Sequence, residues 1–137
     1  MNIMAKIVVD AVRENVLKVT SFVEGEAERL SCPFNCMAKI NVAIDELFCN
    51  IASYAYPNSK GQASIQVESD EPNSIRITFE DYGIPYDPLK KPDPDVTLSA
   101  EERQIGGLGI YIVKKTMDSM NYEYKNGKNV LTIVKKW

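Results

Sequence analysis

Residues 74–85, SIRITFEDYGIP, combine a strand pattern with an abrupt end. Apolar and polar residues alternate as far as Phe79, which predicts a strand with one buried and one polar face. A second alternating run covers 63–68, and Glu71-Pro72-Asn73 forms the connection between the two. Two neighbouring strands of this kind indicate an antiparallel sheet that is covered on one side.

The chain before these strands predicts one strand and two helices. Lys6 to Asp10 is a short β-branched run that predicts a first strand. Apolar residues recur every three or four positions from Val12 to Leu30, and again from Asn35 to Ala55, which is typical of helices with one buried face. Pro33 suits the opening of the second helix. The core stripe of that helix comprises Met37, Ile40, Ile44, Leu47 and Ile51.

The chain after these strands predicts a loop, a helix and a hairpin. Four of the seven prolines fall between Tyr82 and Gly106, where the periodicity fails. Leu108 to Met120 returns to a helical pattern. Two strands, 122–125 and 129–136, flank Asn126-Gly127, which favours a type I′ turn. We therefore expect a single α/β (α+β) two-layer domain over residues 1–137, with about three helices on a mixed, mainly antiparallel sheet of four to five strands.

Composition narrows the function classes. The chain has 137 residues and a net charge of -3, with no dense stripe of Lys or Arg, so nucleic acid is not the expected partner. No signal peptide is visible and no apolar run reaches the ~18 residues of a membrane span, which indicates a cytoplasmic protein. Three cysteines and no histidine argue against a disulfide framework and a four-ligand zinc site.

The absence of histidine also excludes several mechanisms. A Ser-His-Asp triad, a Cys-His nucleophile and phosphohistidine chemistry all need an imidazole. Any proton transfer must therefore fall to a carboxylate, a lysine, a tyrosine or a cysteine.

Residues 45–50, DELFCN, place an acid and an amide on one face of the second helix. Glu46 and Asn50 are four positions apart, so their side chains lie one above the other beside the core stripe. An acid and an amide at this spacing are usually solvated, so the pair alone is weak evidence for a site.

Two glycine-containing segments are the other candidates. Asp81 and Gly83 directly follow a strand, where a carboxylate can accept a hydrogen bond from an amino group and a glycine lets a flat ligand approach, although both residues are also common in β-turns. Residues 106–109, GGLG, open a helix. A helix start with bare amides suits an anion, while a hinge or close helix packing is the alternative. No Lys-Ser or Lys-Thr follows, so this is not a P-loop.

Together, in this order and spacing, the three clusters resemble the boxes of the Bergerat-fold (GHKL, histidine-kinase-like) ATPases, the class that includes gyrase and the histidine kinases. Within that class the chain is most similar to the bacterial anti-sigma-factor serine/threonine kinases of sporulation and stress response. The resemblance covers nearly the full length. Its strongest parts are Asp45-Glu46-Leu47 with Asn50, DYGIPYDP at 81–88, GGLGI at 106–110 leading to Met117-Asp118, and Asn129-Val130-Leu131.

The resemblance implies ATP and Mg²⁺ as cofactors. It makes Glu46 the general base and Asn50 a magnesium ligand, and it makes Asp81 and Gly83 the contacts of the adenine. It further implies a lid over residues 86–105. The residues that it assigns to the phosphates are Arg103 (alternatively a partner contact), Gly106, Gly107, Leu108 and Gly109.

The resemblance also implies partners. The substrate would be a serine on an anti-sigma-factor antagonist, the second partner a sigma factor that is sequestered, and the kinase a homodimer. Pro85 stands where the wider class often has a second glycine, so contacts on the adenine side differ in detail.

Three other functions stay open. The chain could act as a nucleotide-dependent protein-binding switch without kinase activity. It could be a detached catalytic domain of a histidine kinase, which would need a partner that supplies the phosphoacceptor histidine and the dimerisation helices. A gyrase-like ATPase is disfavoured, because 137 residues leave no room for a transducer domain.

Overall fold

The computed structural model describes residues 4–90 and 108–137. Its elements follow the predicted order of strand, two helices, two strands, helix and two strands. They are β1 (Met4–Asp10), α1 (Val16–Arg29), α2 (Phe34–Tyr54), β2 (Gln62–Glu68), β3 (Ser74–Asp81), α3 (Leu108–Thr116), β4 (Ser119–Lys125) and β5 (Lys128–Lys136), with short 3₁₀ turns at Arg13–Asn15 and Pro88–Lys90.

The five strands form one sheet in the order β1-β2-β3-β5-β4. The predicted two-layer class is therefore confirmed, but all four pairings within the described ranges are antiparallel, so the expectation of a mixed sheet is wrong. The reason lies between β1 and β2. Two helices run out and back, so the chain re-enters the sheet at the end where it left, and the Ala11 amide donates to the Gly61 carbonyl oxygen at 2.9 Å.

One face of the sheet is covered by the helices, and the core lies between the two layers. Ile65, Ile77 and Phe79 are almost fully buried on the inner face. Opposite them, α2 contributes Ile40 and Ile44, as its predicted stripe requires. Phe48, outside that stripe, is also fully buried, so the apolar face of α2 is wider than the minimal pattern indicated.

Two predicted helix boundaries are wrong. Val12 has extended backbone angles (φ −128°, ψ 147°), and α1 begins only at Val16, after a 3₁₀ turn. The third helix ends at Thr116 rather than at Met120. Ser119 and Met120 pair with Val134 and Ile133 of β5, so hydrogen bonding to a distant strand overrides the local helical pattern.

The hairpin turn between β4 and β5 is as predicted. Asn126 and Gly127 both have positive φ, 55° and 75°, as the two central residues of a type I′ turn require.

The three cysteines are free thiols. Within residues 4–90 and 108–137 there is no group of three or more side chains that could hold a metal in the manner of zinc. No helix in the same ranges has the length and apolar character needed to cross a membrane.

Candidate functional site

A cleft opens between the second half of α2 and the ends of β3 and β5. It encloses about 410 Å³, counting the part that is open to solvent, and most of its wall is apolar or aromatic. Mostly apolar walls with a few polar groups are typical of small-molecule sites. The polar or aromatic side chains that line it are Asn50, Tyr54, Phe79, Asp81, Tyr86, Tyr122 and Asn129.

Asp81 is the buried acid of this cleft, with 5% of its surface exposed. Its Oδ1 accepts hydrogen bonds from the Gly83 amide (2.9 Å) and from Asn129 Nδ2 (2.8 Å). No side chain or amide of the described residues donates to its Oδ2. Burial raises the pKa of this carboxyl, and the two hydrogen bonds, which favour the charged form, lower it in part. Asp81 thus offers an acceptor to the cleft.

Gly83 is required by the protein's own backbone. A Cβ at this position would lie closer than 3.0 Å to the carbonyl group of Ala55, where α2 ends. The Ile84 amide donates to the same carbonyl oxygen at 2.9 Å. Gly83 is not among the residues that line the cleft. The structure therefore gives this glycine a packing reason of its own, and the Gly83 amide donates a hydrogen bond to Asp81; the predicted room for a ligand stays a prediction.

We expect Gly83→Ala to lower the free energy of unfolding by about 1–3 kcal/mol, the usual cost of overpacking a site that cannot rearrange. The obstacle is backbone, so no side-chain rotation relieves it. Gly25→Ala is the matched control, because a Cβ at this position of α1 meets nothing within 4 Å. It should stabilise the helix by up to about 1 kcal/mol. Urea unfolding of both variants measures the contrast, and equal destabilisation would contradict it.

Glu46 and Asn50 lie one turn apart on α2, as predicted. Asn50 Nδ2 donates to Glu46 Oε1 at 3.4 Å, and both residues are half-buried. In this orientation of the amide, Oδ1 of Asn50 is the atom left for a ligand. Asn50 lines the cleft together with Asp81, and Glu46 lies beside Asn50 on the same helix.

The start of α3 lies against Glu46. A Cβ added to Gly109 would come closer than 3.0 Å to the carboxyl group of Glu46. Only a glycine allows this approach without moving the acid. The amides of the first turn of a helix have no partner within the helix and favour negative charge, so the start of α3 can interact favourably with an anion.

The structure therefore brings together Glu46, Asn50, Asp81 and Gly109. Leu108 is the first residue of α3 and is 39% exposed. Arg103, Gly106 and Gly107 lie outside the described residues, as does most of the predicted lid.

Sequence reasoning gave four residues that line the cleft no role in its wall, although Tyr86 had been placed at the start of the lid. Tyr54 and Tyr86 line the cleft and stack on each other, with ring centroids 5.5 Å apart. Asn129, which entered only as part of a matching strand, contacts Asp81, and Tyr122 contacts Asn129. The signal for Asn129 was the register, which pairs it directly with Asp81 across β3 and β5. Register is not visible in the residues themselves.

Comparison with known proteins agrees with this fold. Residues 9–135 match the model of the histidine kinase-like ATPase domain. The serine-protein kinase RsbW of Bacillus thuringiensis is 27% identical over 127 residues, which cover 90% of this chain and 79% of RsbW. The serine/threonine-protein kinase BtrW of Bordetella bronchiseptica is 26% identical over 94 residues, 69% of this chain and 66% of BtrW.

A solved structure shares the fold. The crystal structure of the RsbU and RsbW domains of Rv1364c from Mycobacterium tuberculosis superposes with a TM-score of 0.68 at 15% identity. The match covers 98% of this chain and 32% of that one, so this chain spans about a third of the larger protein.

The chain belongs to the histidine kinase-like (GHKL) ATPase domain family. Within that family its similarity is to serine-protein kinases of the RsbW type, as the three sequence clusters indicated.

Proposed function

We propose that this protein is an ATP-dependent serine/threonine kinase that phosphorylates an anti-sigma-factor antagonist and sequesters a sigma factor. One observation carries the proposal. Glu46 contacts Asn50 on one side and Gly109 on the other, and Asn50 lines the cleft that contains Asp81. A base, a cation ligand and a helix start thus adjoin a pocket with a buried acceptor.

The cleft would hold the adenine. Oδ2 of Asp81 would accept a hydrogen bond from the exocyclic amine, which guanine lacks at the same place. Tyr54 and Tyr86 would supply aromatic surface to the base. The residues fit such a ligand, because most of the cleft wall is apolar or aromatic and Asp81, the acid in that wall, is buried.

The α2–α3 junction would hold the triphosphate. Oδ1 of Asn50 is an oxygen ligand of the kind that Mg²⁺ prefers, and the ion would neutralise phosphate charge when bound. Gly109, with Gly106 and Gly107, would present backbone amides to the phosphates. Glu46 would accept the proton of the attacking serine hydroxyl, because no histidine is present to do so. Most of the catalysis would be positioning and charge neutralisation, as phosphoryl transfer requires.

The remaining parts of the proposal rest on the family resemblance. The names of the relatives support a protein kinase. Residues 86–105 would be the lid of a single ATPase domain, with Arg103 on the phosphates or on a partner. The antagonist, the sigma factor, a homodimeric state and a cytoplasmic location belong to the same proposal.

Transfer of label from γ-labelled ATP tests the kinase activity directly. The protein is incubated with ATP, magnesium and a candidate antagonist taken from a neighbouring gene, and phosphoserine is then mapped on that antagonist. Label on a single serine of the antagonist supports the proposal. Tight ATP binding without label would remove the kinase and leave the nucleotide-dependent binding switch.

Asn50→Ala should weaken ATP binding about 10- to 100-fold in the presence of magnesium, the range expected when a contact to a charged group is lost. Affinity measured with EDTA should change little, because the lost oxygen acts through the cation. Asn41→Ala is the matched control. Asn41 lies on the same helix but donates to Glu24 of α1, away from the cleft. An equal loss with and without magnesium would contradict the assigned role.

A further inference from the structure

Asn129 occupies a central position in the wall of the cleft. It is 6% exposed, and its amide makes four hydrogen bonds. Nδ2 donates to Asp81 Oδ1 and to the Ile84 carbonyl oxygen, both at 2.8 Å. Oδ1 accepts from the Tyr86 amide at 3.1 Å and from the Tyr122 hydroxyl. All four hydrogen-bonding positions of the side chain are used.

The orientation of this amide is determined by its partners. The Tyr86 N–H is a donor that can only face an oxygen, and the Ile84 carbonyl is an acceptor that can only face the NH₂ group. Tyr122 adds a second bond to Oδ1, and its hydroxyl lies 3.3 Å from the Tyr86 nitrogen, which donates to it as well. A flip of the Asn129 amide would break its bonds to the Tyr86 amide, the Ile84 carbonyl oxygen and Asp81.

The network joins Asp81 and the nearby backbone of Ile84 and Tyr86 through a side chain more than 40 residues away in the sequence. Asp81 is the acceptor that faces the cleft, while Ile84 and Tyr86 lead into the chain segment that follows β3. One side chain from β5 holds both of them. A fully satisfied buried network of this kind fixes one arrangement, since any partial break leaves polar groups unpaired.

We propose that Asn129, oriented by Tyr122, is a positioning residue that couples recognition of the purine amine at Asp81 to the backbone of residues 84–86. The proposal rests on the proposed function of the cleft. Asn129 does not touch the reacting groups. It aims the Asp81 carboxylate so that only a base with an amino group at that place is well bound, and it transmits the result to Tyr86.

The test compares ATP with inosine triphosphate, which carries a carbonyl in place of the amine. Asn129→Asp keeps the size of the side chain but removes both N–H donors and places a second carboxyl group against Asp81. We expect wild type to prefer ATP by about 100-fold, and the variant to lose about 10-fold or more of that preference, while its affinity for inosine triphosphate stays within about 3-fold.

Two further variants make the result specific. Tyr122→Phe removes only a hydroxyl at the rim of the network, which keeps the ring packing, and should lower the preference by a few-fold. Asn121→Asp is the control, the same change at an exposed position of β4, and should leave it unchanged. Hydrogen exchange of the Tyr86 amide is the second readout. ATP should slow it more than inosine triphosphate does in wild type but not in Asn129→Asp.

The outcomes separate the coupling from the proposed function. Equal loss of both affinities in Asn129→Asp, with the preference kept, would reduce Asn129 to a structural residue and overturn the inference. A wild-type protein that binds both nucleotides equally would contradict the role of Asp81 itself, and the coupling with it. A preference that collapses in Asn129→Asp, falls less in Tyr122→Phe and survives in Asn121→Asp supports the proposal.

Discussion

Glu46→Gln is expected to lower the rate of phosphoryl transfer by about 10²–10⁴-fold, the usual contribution of a positioned general base. ATP affinity should stay within a few-fold of wild type. The amide keeps the size of the side chain and can still interact with Asn50 and pack against Gly109. What it loses is the ability to take a proton from the attacking hydroxyl, a step that follows nucleotide binding.

Single-turnover transfer to the antagonist and calorimetric titration with ATP separate the two effects. Asp45→Asn is the matched control, since it makes the same acid-to-amide change at the neighbouring, exposed position of α2. Its transfer rate should equal that of wild type. If Glu46→Gln and Asn50→Ala lost ATP affinity to the same extent, the division between a base and a cation ligand would be wrong.

Asp81→Asn should weaken ATP binding by about 100-fold or more, because it replaces the only charged acceptor in the wall of the described cleft. The same variant should be more stable than wild type at neutral pH. Burial raises the pKa of this carboxyl above its ordinary value of 3.8, so the folded protein holds a disfavoured charge there. An amide at that position carries no such penalty.

The sign of the pH dependence follows from this shift. A carboxyl whose pKa is raised in the folded state binds a proton more tightly when folded, so its penalty is present above the raised pKa. As the pH falls through that value, wild type takes up the proton and the stability gap to Asp81→Asn closes. Thermal unfolding from neutral pH down to about pH 4 measures the gap. A gap that widens on acidification, or one also seen in Asp45→Asn, would contradict the account.

Local patterns predicted most of the fold. Alternation in β2 and β3 and the three-and-four spacing in α2 each reflect a single buried face, so residues alone were sufficient there. The end of α3 was different. Ser119 and Met120 continue a helical pattern, but their partners on β5 give them strand hydrogen bonds that no local window reveals.

In the candidate site, too, contacts within one helix could be predicted from the sequence, whereas contacts between distant segments could not. Glu46 and Asn50 could be paired from the sequence, because four positions on a helix make neighbours. The reason for Gly83 could not, since it depends on the end of α2 reaching the same place through Ala55. Nor could the hold of Asn129 on Asp81 be foreseen, because 48 residues separate them and only the register of β3 and β5 brings them together.

Calorimetric titration of the wild-type protein with ATP and magnesium tests the central claim most directly. The account predicts heat from a single site per chain, weaker binding when magnesium is chelated, and loss of the heat in Asp81→Asn. A folded wild-type protein that gives no heat with adenine nucleotides and magnesium would contradict it.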